Sequence, residues 1–172
     1  MAIFPWLRRR GGDNRLAMSP TPLRLSFAIS CLLLAACDSA PPAGVLLRPD
    51  DAGTLALGKK VYDAQCAACH GAQLQGQPNW RERDATGRLP APPHDASGHT
   101  WHHPDEVLFR ITKHGLAKAA NLKDYVTSMP AYEGVLSDAE IIAVLSYIKA
   151  RWPADIRRKH DELNASAAAA KR

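Results

Sequence analysis

The chain has 172 residues, 46% hydrophobic and 23% charged, with 22 Lys+Arg against 17 Asp+Glu for a formal net charge of +5, and four cysteines. That length suits one ordinary domain with room for a targeting segment or a tail, and the composition excludes both a disordered chain and a disulfide-rich scaffold. The positive excess makes the placement of the charges the first question, since a basic face would imply nucleic acid or an anionic membrane.

Residues 1–36 divide into a basic start, with Arg8, Arg9, Arg10, Arg15 and Arg24, and a mostly apolar run from Leu25 to Ala36. Twelve residues at ~1.5 Å each rise about 18 Å, short of a ~30 Å hydrocarbon core, so the run reads as the apolar part of an export signal. It ends in Leu34-Ala35-Ala36-Cys37, which resembles the bacterial lipobox, whose cysteine is acylated and becomes the mature amino terminus. Cys37 is therefore the expected lipidation site; the alternative is a plain cleavage site before an ordinary cysteine. Met1 and Met18 both fit as the start and give the same mature chain. Asp38 resembles an inner-membrane retention signal, so the expected location is the cytoplasmic membrane facing the periplasm, with the outer membrane second. Residues 1–36 hold five Arg and one Asp, which leaves 17 Lys+Arg and 16 Asp+Glu, a net of +1, on the remainder. The basicity belongs to the translocation signal, and no nucleic-acid partner is expected. Residues 37–52 read as a lipidated tether, Pro- and Ala-containing and without periodicity.

Cys31 falls inside the signal and Cys37 would carry lipid, leaving Cys66 and Cys69 in Cys66-Ala67-Ala68-Cys69-His70. This is the C-x-x-C-H pattern of covalent haem c attachment. A thioredoxin-like redox pair shares C-x-x-C, and a zinc half-site would need a second ligand pair, for which no cysteine exists. Two intervening residues on a helical turn let both thiols reach the two vinyl positions of one porphyrin edge and deliver His70 to an axial face of the iron. Met129 is the only methionine left once the signal is removed. Pro130 after it biases its backbone toward an extended loop that can lay a side chain across a haem face. One haem c is expected, attached at Cys66 and Cys69, its iron ligated by His70 and Met129.

With Cys66–His70 and Met129-Pro130 together, the chain resembles the class I cytochromes c over roughly Gly53 to Trp152, and the resemblance extends to Gly58, Tyr62, Val144 and Tyr147. It implies that Gly58 lets the first and last helices cross closely, with Tyr62, Val144 and Tyr147 locking the crossing. It also implies a loop proline carbonyl, from Pro90 or Pro92, accepting the ring N–H of His70. The expected fold is all-α, a class I cytochrome c fold of three to four helices wrapped around a covalently attached haem, in a domain over 53–153.

Helix signals stand independently of the resemblance. Gly58, Tyr62 and Cys66 recur at i, i+4 and i+8, predicting a helix over 54–68. Ser137-Asp138-Ala139-Glu140 is a capping box before the stripe Ile141, Val144, Leu145 and Ile148, ending near Trp152-Pro153. Pro104, in the first helical position, is expected to open another helix that carries Asp105 and Glu106 in its first turn and stops at Gly115. Residues 154–172 are expected to hold a short terminal helix, with Ile156, His160 and Leu163 on one face to about Asn164, and a frayed tail. Nothing alternates like a sheet.

The connection from Gly71 to His103 carries four histidines, His94, His99, His102 and His103. They raise a second metal site, copper for example, against hydrogen bonds to haem propionates, packing of Trp101 on the haem edge, or simply exposed rings. Arg157-Arg158-Lys159 and Lys59-Lys60 are a solvated face or a docking patch for an acidic redox partner. The function expected is a membrane-tethered one-electron carrier, not itself an enzyme, serving redox proteins of a respiratory or periplasmic chain. The alternatives are a haem c subunit of a periplasmic oxidoreductase complex, and a haem or metal sensor using the histidine loop.

Overall fold

A computed structural model of the chain describes Gly44 and residues 46–171. Met1, Met18, the apolar run, Cys37 and Asp38 lie outside the described residues.

Helix α1 (Ala52–Gln65) starts where the Asp51 side chain accepts the Thr54 N–H at 2.7 Å, satisfying one of the free donors of its first turn. It is followed by the single turn α2 (Ala67–His70), α3 (Asp105–His114), the single turn α4 (Leu116–Ala119), α5 (Asp138–Ala150) and α6 (Ala154–Ala169). A 3-10 turn, Thr100–His102, precedes α3. The described residues contain no strand, and no helix among them is long and apolar enough to cross a membrane. Four full helices and two single turns thus stand where three to four helices are expected.

The centre of the domain is the crossing of α1 and α5. Gly58, Val61 and Tyr62 are buried on α1, and Ile141, Val144 and Ile148 on α5. A Cβ built on Gly58 would run into the Ala143 carbonyl oxygen and lie 2.8 Å from the Cβ of Tyr147, so only glycine allows this approach. The Tyr62 and Tyr147 rings meet beside it at 5.6 Å. The expected capping box forms in full: the Ser137 hydroxyl receives the Glu140 N–H, and the Glu140 carboxylate receives the Ser137 N–H at 2.9 Å. Helix α3 joins through buried Leu108 and Phe109, and Lys113 reaches Asp138 at 2.7 Å.

Three boundaries differ from expectation. The first helix breaks at Cys66, where φ −117° and ψ −38° interrupt the run before α2 resumes it. Pro104 caps α3 instead of occupying its first turn: its ψ of 155° is extended, and the helix begins at Asp105. Helix α6 runs to Ala169, past the expected stop near Asn164 and into the stretch expected to fray. The stretch Ala165-Ser166-Ala167-Ala168-Ala169 consists almost wholly of the best helix former, which carries the helix on without tertiary burial.

Helix α6 is fastened by a buried polar cluster. Asp105, 2% exposed, accepts from Leu47 N at 3.0 Å and from Asn164 Nδ2 at 3.0 Å, while its own N–H donates to Asn164 Oδ1 at 2.8 Å. His160 Nε2 donates to the His103 carbonyl at 2.9 Å, leaving Nδ1 to face the Asn164 amide at 3.3 Å. One ring nitrogen facing a carbonyl and the other facing an amide donor are both satisfied only by a neutral imidazole.

Candidate haem site

The break at Cys66 shapes the site. Residue 66 closes α1 with its N–H to the Tyr62 carbonyl, and α2 then turns Cys69 and His70 back toward the domain. Gly71 stops α2 at φ 81°, and its carbonyl accepts the Tyr62 hydroxyl at 2.8 Å, so the motif hangs from the same tyrosine that locks the α1–α5 crossing. Cys66 is half-buried and Cys69 is exposed, and they are not joined to each other.

His70 is buried at 6% exposure. Its Nδ1 lies 2.8 Å from the Pro92 carbonyl oxygen. A carbonyl only accepts, so the proton sits on Nδ1 and the Nε2 lone pair is left free for a metal. This resolves the choice between Pro90 and Pro92 in favour of Pro92. Burial lowers the His70 pKa from its ordinary value, partly offset by the Pro92 bond, and so favours the neutral, ligating form of the ring. The Cys66 thiol is pushed up to about 11, first by burial and then by Cys69. A catalytic dithiol is favoured by the opposite shift, so the raised Cys66 value gives the thioredoxin-like reading no support. Two thiols three positions apart and a neutral imidazole with one open lone pair form a donor set that fits a covalently attached haem.

Met129 sits half-buried in the non-helical segment between α4 and α5, its N–H on Thr127 Oγ1 at 3.1 Å. Three residues on, Tyr132 pins that segment: its N–H donates to the Thr112 carbonyl at 3.1 Å and its hydroxyl to the Gln65 carbonyl at 2.8 Å. Gln65 immediately precedes Cys66, so the segment carrying Met129 is fastened beside the two thiols.

The four loop histidines divide, His94 against His70 and the other three together. His94 packs on His70, ring centroids 3.9 Å apart and planes 20° from parallel, with Nδ1 2.7 Å from Thr100 Oγ1. Burial drives its pKa well below the usual value, with the neighbouring His70 adding to the effect. His99 stacks on His102 at 5.0 Å and meets His103 edge-on at 4.8 Å, while Trp101 covers His102 at 3.7 Å and donates Nε1 to the Ala96 carbonyl at 3.2 Å. Among the described residues no three His, Cys, Asp or Glu side chains are grouped to hold a metal ion. The basic clusters are partly neutralised, Lys59 by Asp63 at 2.5 Å and Arg157 by Asp50 at 2.7 Å. Sequence reasoning missed Thr100 and Trp152, whose Nε1 donates to the His94 carbonyl at 2.7 Å. The available signal was a tryptophan at the end of an apolar stripe, since a buried indole needs an acceptor.

The Cytochrome c family model matches residues 55–152. The chain belongs to the cytochrome c family. It is a class I c-type cytochrome, all-α, and its cofactor is covalently bound haem c. A stretch of 26 residues is 65% identical to cytochrome c-554(547) of Halothiobacillus neapolitanus, covering 15% of this chain and 29% of that protein. The match thus spans less than a third of that relative. No solved structure matches the chain. Family membership makes haem-based electron transfer the function at the coarse level.

Proposed function

We propose that this cytochrome is a one-electron carrier with a single haem c held by thioethers at Cys66 and Cys69 and ligated by His70 and Met129. In this reading it is tethered through acylated Cys37 to the periplasmic face of the cytoplasmic membrane and exchanges electrons with protein partners there. One observation carries the proposal: His70, one residue from the second thiol, has Nδ1 committed to Pro92 and Nε2 free. Haem c, when bound, supplies reversible one-electron Fe(III)/Fe(II) exchange. The Pro92 carbonyl draws on the Nδ1 proton, which strengthens Nε2 as a donor and restricts ring rotation. Burial lowers the His70 pKa and so favours the neutral ring. The Met129 thioether, three residues from the Tyr132 that bonds Gln65, would be a soft donor that favours the ferrous state and raises the potential. With His70 and Met129 as the side chains that would hold the iron, electron exchange would require no substrate site at the metal.

Expression with the haem-attachment machinery tests each part. Cys66→Ala with Cys69→Ala is expected to abolish haem that survives denaturing electrophoresis. Met129→Ala is expected to keep the covalent haem, lower the reduction potential and admit carbon monoxide rapidly to the ferrous protein. An unchanged potential in Met129→Ala overturns the distal assignment. Mass spectrometry of membrane-extracted protein tests the anchor: an unmodified Cys37 overturns it, and Cys37→Ser is expected to release the protein from the membrane.

A further inference from the structure

The Gly71–His103 connection supplies a second histidine to the same pocket, and haem attachment gives it no role. His94 is held from three directions: its N–H donates to the Leu74 carbonyl at 2.8 Å, its carbonyl accepts Trp152 Nε1 at 2.7 Å, and its Nδ1 meets the Thr100 hydroxyl at 2.7 Å. Thr100 is 8% exposed and fixed in the 3-10 turn. The Thr100 hydroxyl, on a buried residue, is thus the bond that orients the His94 ring. Against this ring lies His70, nearly parallel, with 3.9 Å between centroids.

The bond from His70 Nδ1 to Pro92 constrains one atom of the imidazole and leaves it a hinge about that contact. A second flat ring packed face to face removes the remaining freedom, because tilting either ring forces their atoms together. An aliphatic side chain would fill the space without a hydrogen bond to fix its own orientation. Placing a polar ring in so buried a position costs desolvation free energy, and the Thr100 bond offsets it only while the ring keeps this orientation.

We propose that His94, oriented by Thr100, is a positioning residue that sets the plane of the His70 imidazole and thereby the direction of its overlap with the iron d orbitals. This rests on the assignment of His70 as an axial ligand. The imidazole plane and the thioether lone-pair direction together would set the in-plane magnetic axes of a low-spin ferric centre, and these axes order the hyperfine shifts of the four haem methyl groups; with Met129 untouched, a change in that order reports the His70 plane. A residue that merely fills volume leaves that order alone.

The test is proton NMR of the ferric holoprotein, with a redox titration of the same samples, for Thr100→Val, Thr100→Ser and His94→Leu. Thr100→Val keeps the shape and removes the hydroxyl. It is expected to change the spread and order of the methyl resonances and to displace the midpoint potential. Thr100→Ser, which restores the hydroxyl, is expected to return the parent pattern. His94→Leu is expected to change the pattern at least as much as Thr100→Val. Where His94→Leu fails to assemble, the threonine pair decides. A parental pattern in Thr100→Val overturns the proposal, as does an equal displacement in Thr100→Ser. Failure of the underlying ligand assignment looks different: the parent protein would then show no strongly shifted imidazole ring protons that disappear in His70→Ala.

Discussion

Two regions converge on His70 and are held there in different ways. On one side α1 and α5 cross through contact of regular surfaces: Gly58 removes a side chain, Tyr62 and Tyr147 close over the gap, and the backbone hydrogen bonds stay within each helix. On the other side the Gly71–His103 connection has almost no regular structure and is positioned by single long-range bonds: Pro92 to His70, His94 to Trp152, and His103 to His160. Backbone polar groups buried in an irregular segment must each find a specific partner, since no helix or sheet supplies one. Leu74 shows the strain this involves, a buried leucine at φ 69° whose carbonyl receives the His94 N–H. The crossing should therefore fail as a unit, whereas the connection should fail one bond at a time.

The crossing is broken most directly at Gly58. Gly58→Ala places a Cβ against the Ala143 backbone, which has no rotamer to escape into, so the helices must separate. The expected loss is about 3 kcal/mol or more, the upper end for overpacking. Gly53 on the same helix is the control, because its built Cβ meets only Asp51 Oδ1 at an ordinary 3.7 Å. Gly53→Ala is expected to be neutral or to stabilise by about 0.5–1 kcal/mol. Denaturant unfolding of the two holoproteins checks both; equal midpoints would show that the crossing tolerates separation.

A smaller effect, confined to the connection, is expected at Trp152. Trp152→Phe keeps an aromatic ring but leaves the buried His94 carbonyl without its donor, at a cost of about 1–3 kcal/mol. The distinguishing readout is local. Hydrogen exchange should quicken at His94 N–H, paired with Leu74, while the amides of α1 and α5 keep their protection. Uniform loss of protection across all helices would mean that the two regions are one cooperative unit.

The same contrast explains what the sequence revealed. Gly58, Tyr62, Val144 and Tyr147 announce the crossing because helical periodicity and the family pattern act over a few residues, and the Ser137–Glu140 box is a purely local signal. Cys66–His70 is equally local. The choice of Pro92 over Pro90 was hidden because it depends on how the connection folds on itself: Gln77 pairs with Ala91 through its N–H at 2.9 Å and its side-chain oxygen at 2.8 Å, and the next carbonyl, that of Pro92, meets His70. His94 read as one of four similar histidines, and only its partners Thr100 and Trp152 set it apart. Elimination and Pro130 point to Met129 as the proposed distal ligand; the bond from nearby Tyr132 to Gln65, spanning 67 residues, is one that no local pattern encodes.

The gentlest way to loosen the connection is a proton on His160, which holds its far end at the His103 carbonyl. Burial lowers the His160 pKa, and the Lys149 ammonium lowers it further; Asp105, the His103 bond and Asp161 pull the other way without reversing the shift. The folded value thus lies below the usual 6.5, and at pH values between the two the unfolded chain binds more protons at this site than the folded one. Stability from this group is complete above about 6.5 and falls as pH drops through that window. His103 shifts the same way, through burial first and then His99 and His102, and so does His94, through burial first and then His70, so the parent slope contains all three groups. His160→Gln isolates one of them, because its amide can donate to the same carbonyl but does not titrate. Urea unfolding across the acidic range should show a shallower decline in this variant than in the parent. If the two slopes coincide, His160 is not the proton-sensitive fastening, and the acid loosening belongs to the other shifted histidines of the connection, His94 and His103.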